Sequence, residues 1–359
     1  MGTAKQHLES GRQAERPTTL GVVGLGYWGP NLLRVVAEMA DVEVRWICEL
    51  DPARLERWSR RYPRTRATNE FEQVIGDPDL DAVLLATPVY THFELASRAL
   101  EAGKHAFVEK PLAPTSDQAT RLLELASERK LALMCGHTFL YSPPVRAIRE
   151  MLVNRELGEL FFISSSRVNL GLHQPDVSVI FDLGPHDFSI LRYWLGESPE
   201  SVSAAGRDSI VTGIPDVAFL NLRFASGVVA NLEMSWLAPS KLRRTVLVGS
   251  EKMVVYEDGA AEPVRVFDHG VVYKEPETFG EYQLSYRSGD IVSPRIDGAE
   301  PLGLQLRDFV EAARRGAAPA DHGDLCLDVI RLIEASERSL TEGGQPVTLA
   351  TKSSMSKAR

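Results

Sequence analysis

The chain has 359 residues, 44% hydrophobic and 25% charged, a balance that builds a globular protein of about two domains without disulfides or structural metals. Its net charge of −9 excludes a broad nucleic-acid footprint, which needs a clustered basic face, but leaves room for a local cationic pocket. No apolar run reaches the ~20 residues of a membrane span, and residues 1–17 lack the apolar centre of a secretory signal. Those residues read as a disordered leader to a cytoplasmic protein.

From Thr18 onward, short apolar runs alternate with amphipathic stretches. Strands are expected over 20–26, 42–50, 82–87, 105–110 and 131–137, and helices over 30–39, 52–62, 92–103 and 116–130. Pro30 suits the first turn of a helix, Gly103 closes one, and Ser116 is read as an N-cap. Alternation of this kind predicts a Rossmann-type, doubly wound parallel sheet over residues 18–141. Beyond it, a proline-entered helix over 142–158 precedes strands over 160–170, 201–208, 217–224, 228–237, 243–250, 252–258 and 264–270. Late helices are expected over 305–316 and 325–343, and residues 351–359 form a flexible tail. Residues 142–350 are therefore expected to form an α/β domain with a large, open, mostly antiparallel sheet. Cys48, Cys135 and Cys326 are odd in number and far apart, matching neither zinc-site nor disulfide spacing. They read as buried, reduced thiols, with no metal bound.

Gly24-Leu-Gly26-Tyr27-Trp28-Gly29 lies between the first strand and the first helix, the setting a dinucleotide-binding glycine turn requires. Gly24 permits the tight turn, Gly26 lets a pyrophosphate approach, and Gly29 lets the helix sit close to the sheet. Glu49 ends the second strand, where a carboxylate accepts from an adenosine ribose diol and repels a 2′-phosphate. The predicted cofactor is NAD(H), with NADP(H) the alternative that nearby Arg54 and Arg57 keep open. Tyr27, Trp28, Thr87, Pro88, His92, Glu109 and Lys110 complete the candidate cofactor contacts.

Glu109-Lys110-Pro111 closes the fourth expected strand at the sheet edge where ligands of open α/β folds bind. Asp182-Leu-Gly-Pro-His186-Asp187 precedes an apolar helix, with Asp182 and His186 four residues apart. They share a face if the helix begins early; otherwise Asp182 is an N-cap and His186 a structural histidine. Arg167, Asn169 and His173 are polar residues in a run otherwise built for burial. Lys241, Arg243 and Arg244 follow the strand that ends in Ser-Trp-Leu, and Lys241 and Arg244 are candidate substrate contacts.

GLGYWGPN, LLATPVYTHFELASRALEAGKHAFVEKPLA, GHTFLY and FDLGPHDFSILRYWLG together resemble the Gfo/Idh/MocA family, from about residue 18 to 350. The resemblance implies an oxidoreductase in which Lys110, Asp182 and His186 form the catalytic set. It implies that GHTFLY, with His137 and Tyr141, lines the nicotinamide and substrate pocket. It also implies a sugar-like substrate and a homodimer or homotetramer built through the C-terminal sheet. Many relatives have glycines where this chain has Ser178-Val-Ile-Phe181. The run RVNLGLHQPDVSVIFDLGPHD resembles the subgroup acting on nucleotide-linked sugars, and oxidation at C3 of a pyranose is common among relatives. In the expected reaction, His186 takes a hydroxyl proton, Lys110 donates to the carbinol oxygen and Asp182 orients them; the first two roles can be exchanged. Alternatives are an NADP(H)-dependent keto-sugar reductase, an inositol or aminocyclitol dehydrogenase, and a non-catalytic dinucleotide sensor.

Overall fold

A computed structural model describes residues 16–171, 177–273 and 284–349. Its first half alternates β1 (Thr18–Val23), α1 (Gly29–Ala37), β2 (Val42–Cys48), α2 (Pro52–Arg61), β3 (Arg66–Thr68) and α3 (Phe71–Ile75). Then follow β4 (Ala82–Leu85), α4 (His92–Glu101), β5 (His105–Val108), α5 (Ser116–Arg129) and β6 (Leu133–Cys135). The six strands pair in parallel in the order β3-β2-β1-β4-β5-β6. That is the Rossmann order, and the reversal between β1 and β4 opens a crevice at the strands' carboxyl ends. β1 and β4 are buried along their whole length, as continuous apolar strands covered on both faces must be.

The sequence did not reveal β3 and α3, which at three and five residues are too short to show a period. The N-cap of α5 is also one residue earlier than expected. Thr115 Oγ1 accepts from the Gln118 backbone N–H, and Ser116 instead bonds Glu334 through its backbone N–H and its hydroxyl, both at 2.7 Å. Pro30 and Gly103 take their expected places at the start of α1 and just past α4.

The second half comprises α6 (Pro143–Val153), β7 (Leu160–Leu170), α7 (Val179–Leu195), β8 (Ser201–Arg207), β9 (Val217–Arg223), β10 (Val229–Ser235) and β11 (Leu237–Gly249). It continues through β12 (Met253–Glu257), β13 (Val264–Tyr273), β14 (Leu284–Val292), α8 (Pro301–Arg315), α9 (His322–Thr341) and β15 (Val347–Thr348). Nine strands form one sheet ordered β14-β13-β12-β11-β7-β10-β9-β8-β15, antiparallel throughout except where β10 runs parallel to β7. Strict alternation sets its faces: Ala218, Leu220 and Leu222 of β9 point into the core, whereas Phe219 points outward. Phe162 and Val229, directly paired across β7 and β10, are exposed on that same outer face. β14 reads as polar, without alternation, and β15 is two residues long; neither was legible beforehand.

α8 and α9 turn back onto the first sheet. Leu302, Leu306, Phe309 and Val310 of α8 pack with Leu32, Leu33 and Phe107, and the Phe309 and Phe107 rings meet edge to face at 5.6 Å. α9 divides its buried side chains: Val329, Leu332 and Ile333 join the second core, Cys326 and Ile330 the first. No helix among the described residues is long and apolar enough to cross a membrane. Phe309 is fully buried, so Phe309→Ala is expected to cost about 3–5 kcal/mol of unfolding free energy, checked by denaturant titration.

Candidate active site

The glycine turn is closely fitted. Gly24 has φ +85°, and a Cβ added there would lie 2.6 Å from the Ala86 carbonyl oxygen. A Cβ on Gly29 would meet the Gly24 carbonyl oxygen at 1.8 Å, so this glycine protects the turn as well as the helix–sheet contact. Above Gly26 the space is open, bordered by an Arg54 guanidinium nitrogen 3.6 Å from a hypothetical Cβ. No side chain caps α1, whose N-terminus faces the crevice. These residues fit a dinucleotide: the cradle is shaped by backbone, and one glycine is open to a ligand.

Glu49 is buried at the end of β2, its carboxylate accepting from Leu25 N–H at 2.6 Å and Asp51 N–H at 3.0 Å. It therefore braces the glycine turn, besides standing where the ribose was expected. The more exposed Asp51 caps α2 and pairs with Arg54 at 3.5 Å. His92 is buried, its ring nitrogens each 2.9 Å from a carbonyl, of Pro111 and of Thr87. It ties the loops after β4 and β5 together and keeps Thr87 and Pro88 beside the turn. Tyr27 is 88% exposed, and the buried indole N–H of Trp28 faces the Glu109 carboxyl.

Across the crevice, Lys110 Nζ donates to the Asp182 backbone carbonyl at 2.8 Å and to Asp182 Oδ1 at 3.2 Å. The indole N–H of Trp236 donates to the other carboxylate oxygen at 3.3 Å. α7 starts early: Ser178 is its N-cap, accepting from Phe181 N–H, so Asp182 lies in the first turn and His186 one turn further along. Burial, followed by the charges of Lys110, Arg167 and Arg243, holds His186 well below the usual histidine range, leaving a neutral imidazole.

His186 meets Phe139 edge to face at 5.1 Å. The same ring carries the Arg167 guanidinium at 4.8 Å and that of Arg243 at 5.7 Å. Arg167 is buried against Asp187, Nε to Oδ2 at 2.5 Å, and Ser165 also donates to Asp187. Its Nη1 is buried without a hydrogen-bond partner. Arg243, directly opposite Arg167 across β11 and β7, pairs with Asp258 at 2.8 Å.

The fold thus gathers Lys110, Asp182, His186 and Arg167. It does not gather Arg244, which alternation turns away from Arg243, and Lys241 is exposed; Arg243 is the cation of that run beside His186. Tyr141 is buried and donates to Asp308 at 2.5 Å, so α8 takes up the hydroxyl expected at the substrate. His137 is buried, and Asn169 lies near the end of β7, half-buried. His173 lies outside the described residues. Phe139, Trp236 and Asp187 were missed. The Phe139 signal was present inside GHTFLY, but that of Trp236 is indistinguishable from ordinary core sequence.

Family models match both halves: an oxidoreductase family, NAD-binding Rossmann fold, over residues 18–137, and a GFO/IDH/MocA C-terminal domain over 145–255. The chain belongs to the Gfo/Idh/MocA oxidoreductase family. It is an NAD(P)-dependent oxidoreductase acting on sugar or polyol hydroxyls. Among Gfo/Idh/MocA relatives, it is 26% identical to inositol 2-dehydrogenase of Rhizobium meliloti, over 90% of this chain and 97% of that one. It is 27% identical to dTDP-3,4-didehydro-2,6-dideoxy-alpha-D-glucose 3-reductase of Saccharopolyspora spinosa, over 60% of this chain and 68% of that one. Its fold is similar to that of GenD2 from gentamicin A biosynthesis in complex with NAD, with TM-score 0.79 and 23% identity. That match covers 97% of this chain and 100% of GenD2.

Glu109 precedes the lysine and is half-buried, its carboxyl turned inward. Burial pushes its carboxyl up to about 7, against the opposing pull of the Lys110 charge and of hydrogen bonds from the Lys110 backbone N–H and the Trp28 indole. A carboxyl raised in this way contributes stability that is fully present below its free value of 4.5 and is lost as pH rises through about 7. Relative to Glu109→Gln, the wild-type thermal midpoint without added cofactor is expected to fall as pH rises from about 5 to about 8. Parallel melting series of the two proteins check this.

Proposed function

We propose that the chain oxidises a secondary hydroxyl of a sugar to a ketone with NAD, acting on a nucleotide-linked sugar, at C3. The observation that carries the reaction type is the bond between Lys110 and Asp182, with neutral His186 one turn away on α7. Bound nicotinamide supplies a hydride acceptor. His186 takes the hydroxyl proton, which its neutral ring can do, while the Lys110 ammonium donates to the oxygen as negative charge develops there. Asp182 holds Lys110 in place, and Trp236 holds Asp182. Support for a nucleotide-linked substrate comes from the Saccharopolyspora relative and from Arg243, at the pocket edge on β11. The outward Phe162, Phe219 and Val229 support assembly through the second sheet, testable by sedimentation.

A second reading, an NADP(H)-linked reductase, is favoured by Arg54 reaching over Gly26. Fluorescence titration with both dinucleotides separates the two. Tighter NAD binding, with NADP binding gained on Glu49→Ala, supports the first; tighter NADP binding lost on Arg54→Ala supports the second.

His186→Ala is expected to slow single-turnover hydride transfer about 10²–10⁴-fold, and Lys110→Ala about 10²-fold or more. Near-normal rates in both variants, with any sugar that the wild type reduces or oxidises, would refute the assignment. Because His186 stays neutral to well below pH 6.5, wild-type oxidation should not decline until pH falls below that value. A pH profile of kcat/KM on the best substrate from a nucleotide-sugar panel checks this.

A further inference from the structure

Three donor side chains meet where α9 crosses the end of β6. Cys135 Sγ, Cys326 Sγ and a ring nitrogen of His137 all lie within 4.8 Å of one another, and all three residues are buried. Cys326 is 191 positions from Cys135, so no spacing rule applied to the sequence finds this group. His137 is only 2% exposed; its Nδ1 lacks a partner of good hydrogen-bond geometry, and the Cys135 thiol lies within reach of both the His137 ring and the Cys326 thiol.

We infer that Cys135, His137 and Cys326 form a site for one thiophilic divalent cation, zinc by chemistry, which staples α9 to the Rossmann sheet. Two thiolates and one imidazole are soft and borderline donors that select such an ion over magnesium or calcium. Metal–sulfur bonds of about 2.3 Å and a metal–nitrogen bond of about 2.0 Å place tetrahedral donors about 3.5–3.8 Å apart. The observed cluster therefore needs a contraction of about 1 Å at most. As the two metal–sulfur bonds form, the two thiol protons pass to solvent and no electron is transferred. The resulting group is neutral overall, which a buried position tolerates where a bare cation is not tolerated. The Cys135 backbone N–H already donates to His322 Nε2 at 2.8 Å, so the first turn of α9 holds this strand end in register. The site shares no residue with Lys110, Asp182 and His186, although it takes His137, expected at the substrate pocket, as a ligand instead.

The full chain, reduced and stripped with a chelator, is titrated with cadmium as the probe. A thiolate-to-cadmium absorption band that saturates at one ion per chain, with the thermal midpoint raised by several degrees, is expected. Cys48→Ser, which alters the lone buried cysteine, should retain both responses. Cys326→Ser and Cys326→Ala should lose both while keeping the wild-type circular dichroism. No saturable band in the wild-type chain overturns the inference, as does a band unchanged in a folded Cys326 variant. The wild-type titration decides even if both Cys326 variants fail to fold.

Discussion

The bond from Lys110 Nζ to Asp182 joins a residue at the end of the first domain's β5 to the first turn of α7 in the second. The site depends on that meeting, because Lys110 belongs to the first domain and Asp182 and His186 belong to the second. The Rossmann strand order brings Lys110 to the crevice, and the early start of α7 at Val179 turns Asp182 and His186 toward it. α8 and α9 then pack back across the first sheet, so the relative placement of the two residues is enforced by buried apolar contact.

Charge in the site is kept local by pairing. Arg167 has Asp187, Arg243 has Asp258, and Lys110 has Asp182. Both guanidinium groups lie over the Phe139 ring, which meets His186 edge to face. The cations still bear on the histidine and, together with burial, keep it neutral. One set of interactions thus holds these side chains together and keeps the imidazole uncharged. Removing a single partner, such as Asp187, would strand the buried Arg167 charge beside His186.

Much of this was legible beforehand, for local reasons. Glycines 24 and 29 must be where they are because side chains there collide with backbone, and the strand–turn–helix around them is written in neighbouring residues. The alternation of β9 and the proline-entered α6 are equally local. Short or polar elements escaped: β3 and α3 have too few residues for a period, and β14 carries no apolar alternation. At α5 the wrong one of two adjacent hydroxyl residues was chosen as the cap. Thr115 and Ser116 both qualify chemically, and Ser116 is diverted by Glu334, 218 positions away.

By itself, therefore, the sequence determined the parallel nucleotide-binding half, the open second sheet and the glycine turn, and through family resemblance it set the expectation that Lys110, Asp182 and His186 act together. Only the tertiary structure decided which cations face the pocket and which hydroxyls are free. Arg243 rather than Arg244 reaches Phe139 because strand register sets the face, and Tyr141 is taken up by Asp308 on α8. Tertiary structure likewise gathers Cys135, His137 and Cys326. Periodicity and caps are properties of neighbouring residues, whereas pairing across a sheet or between distant helices is a property of the packed chain.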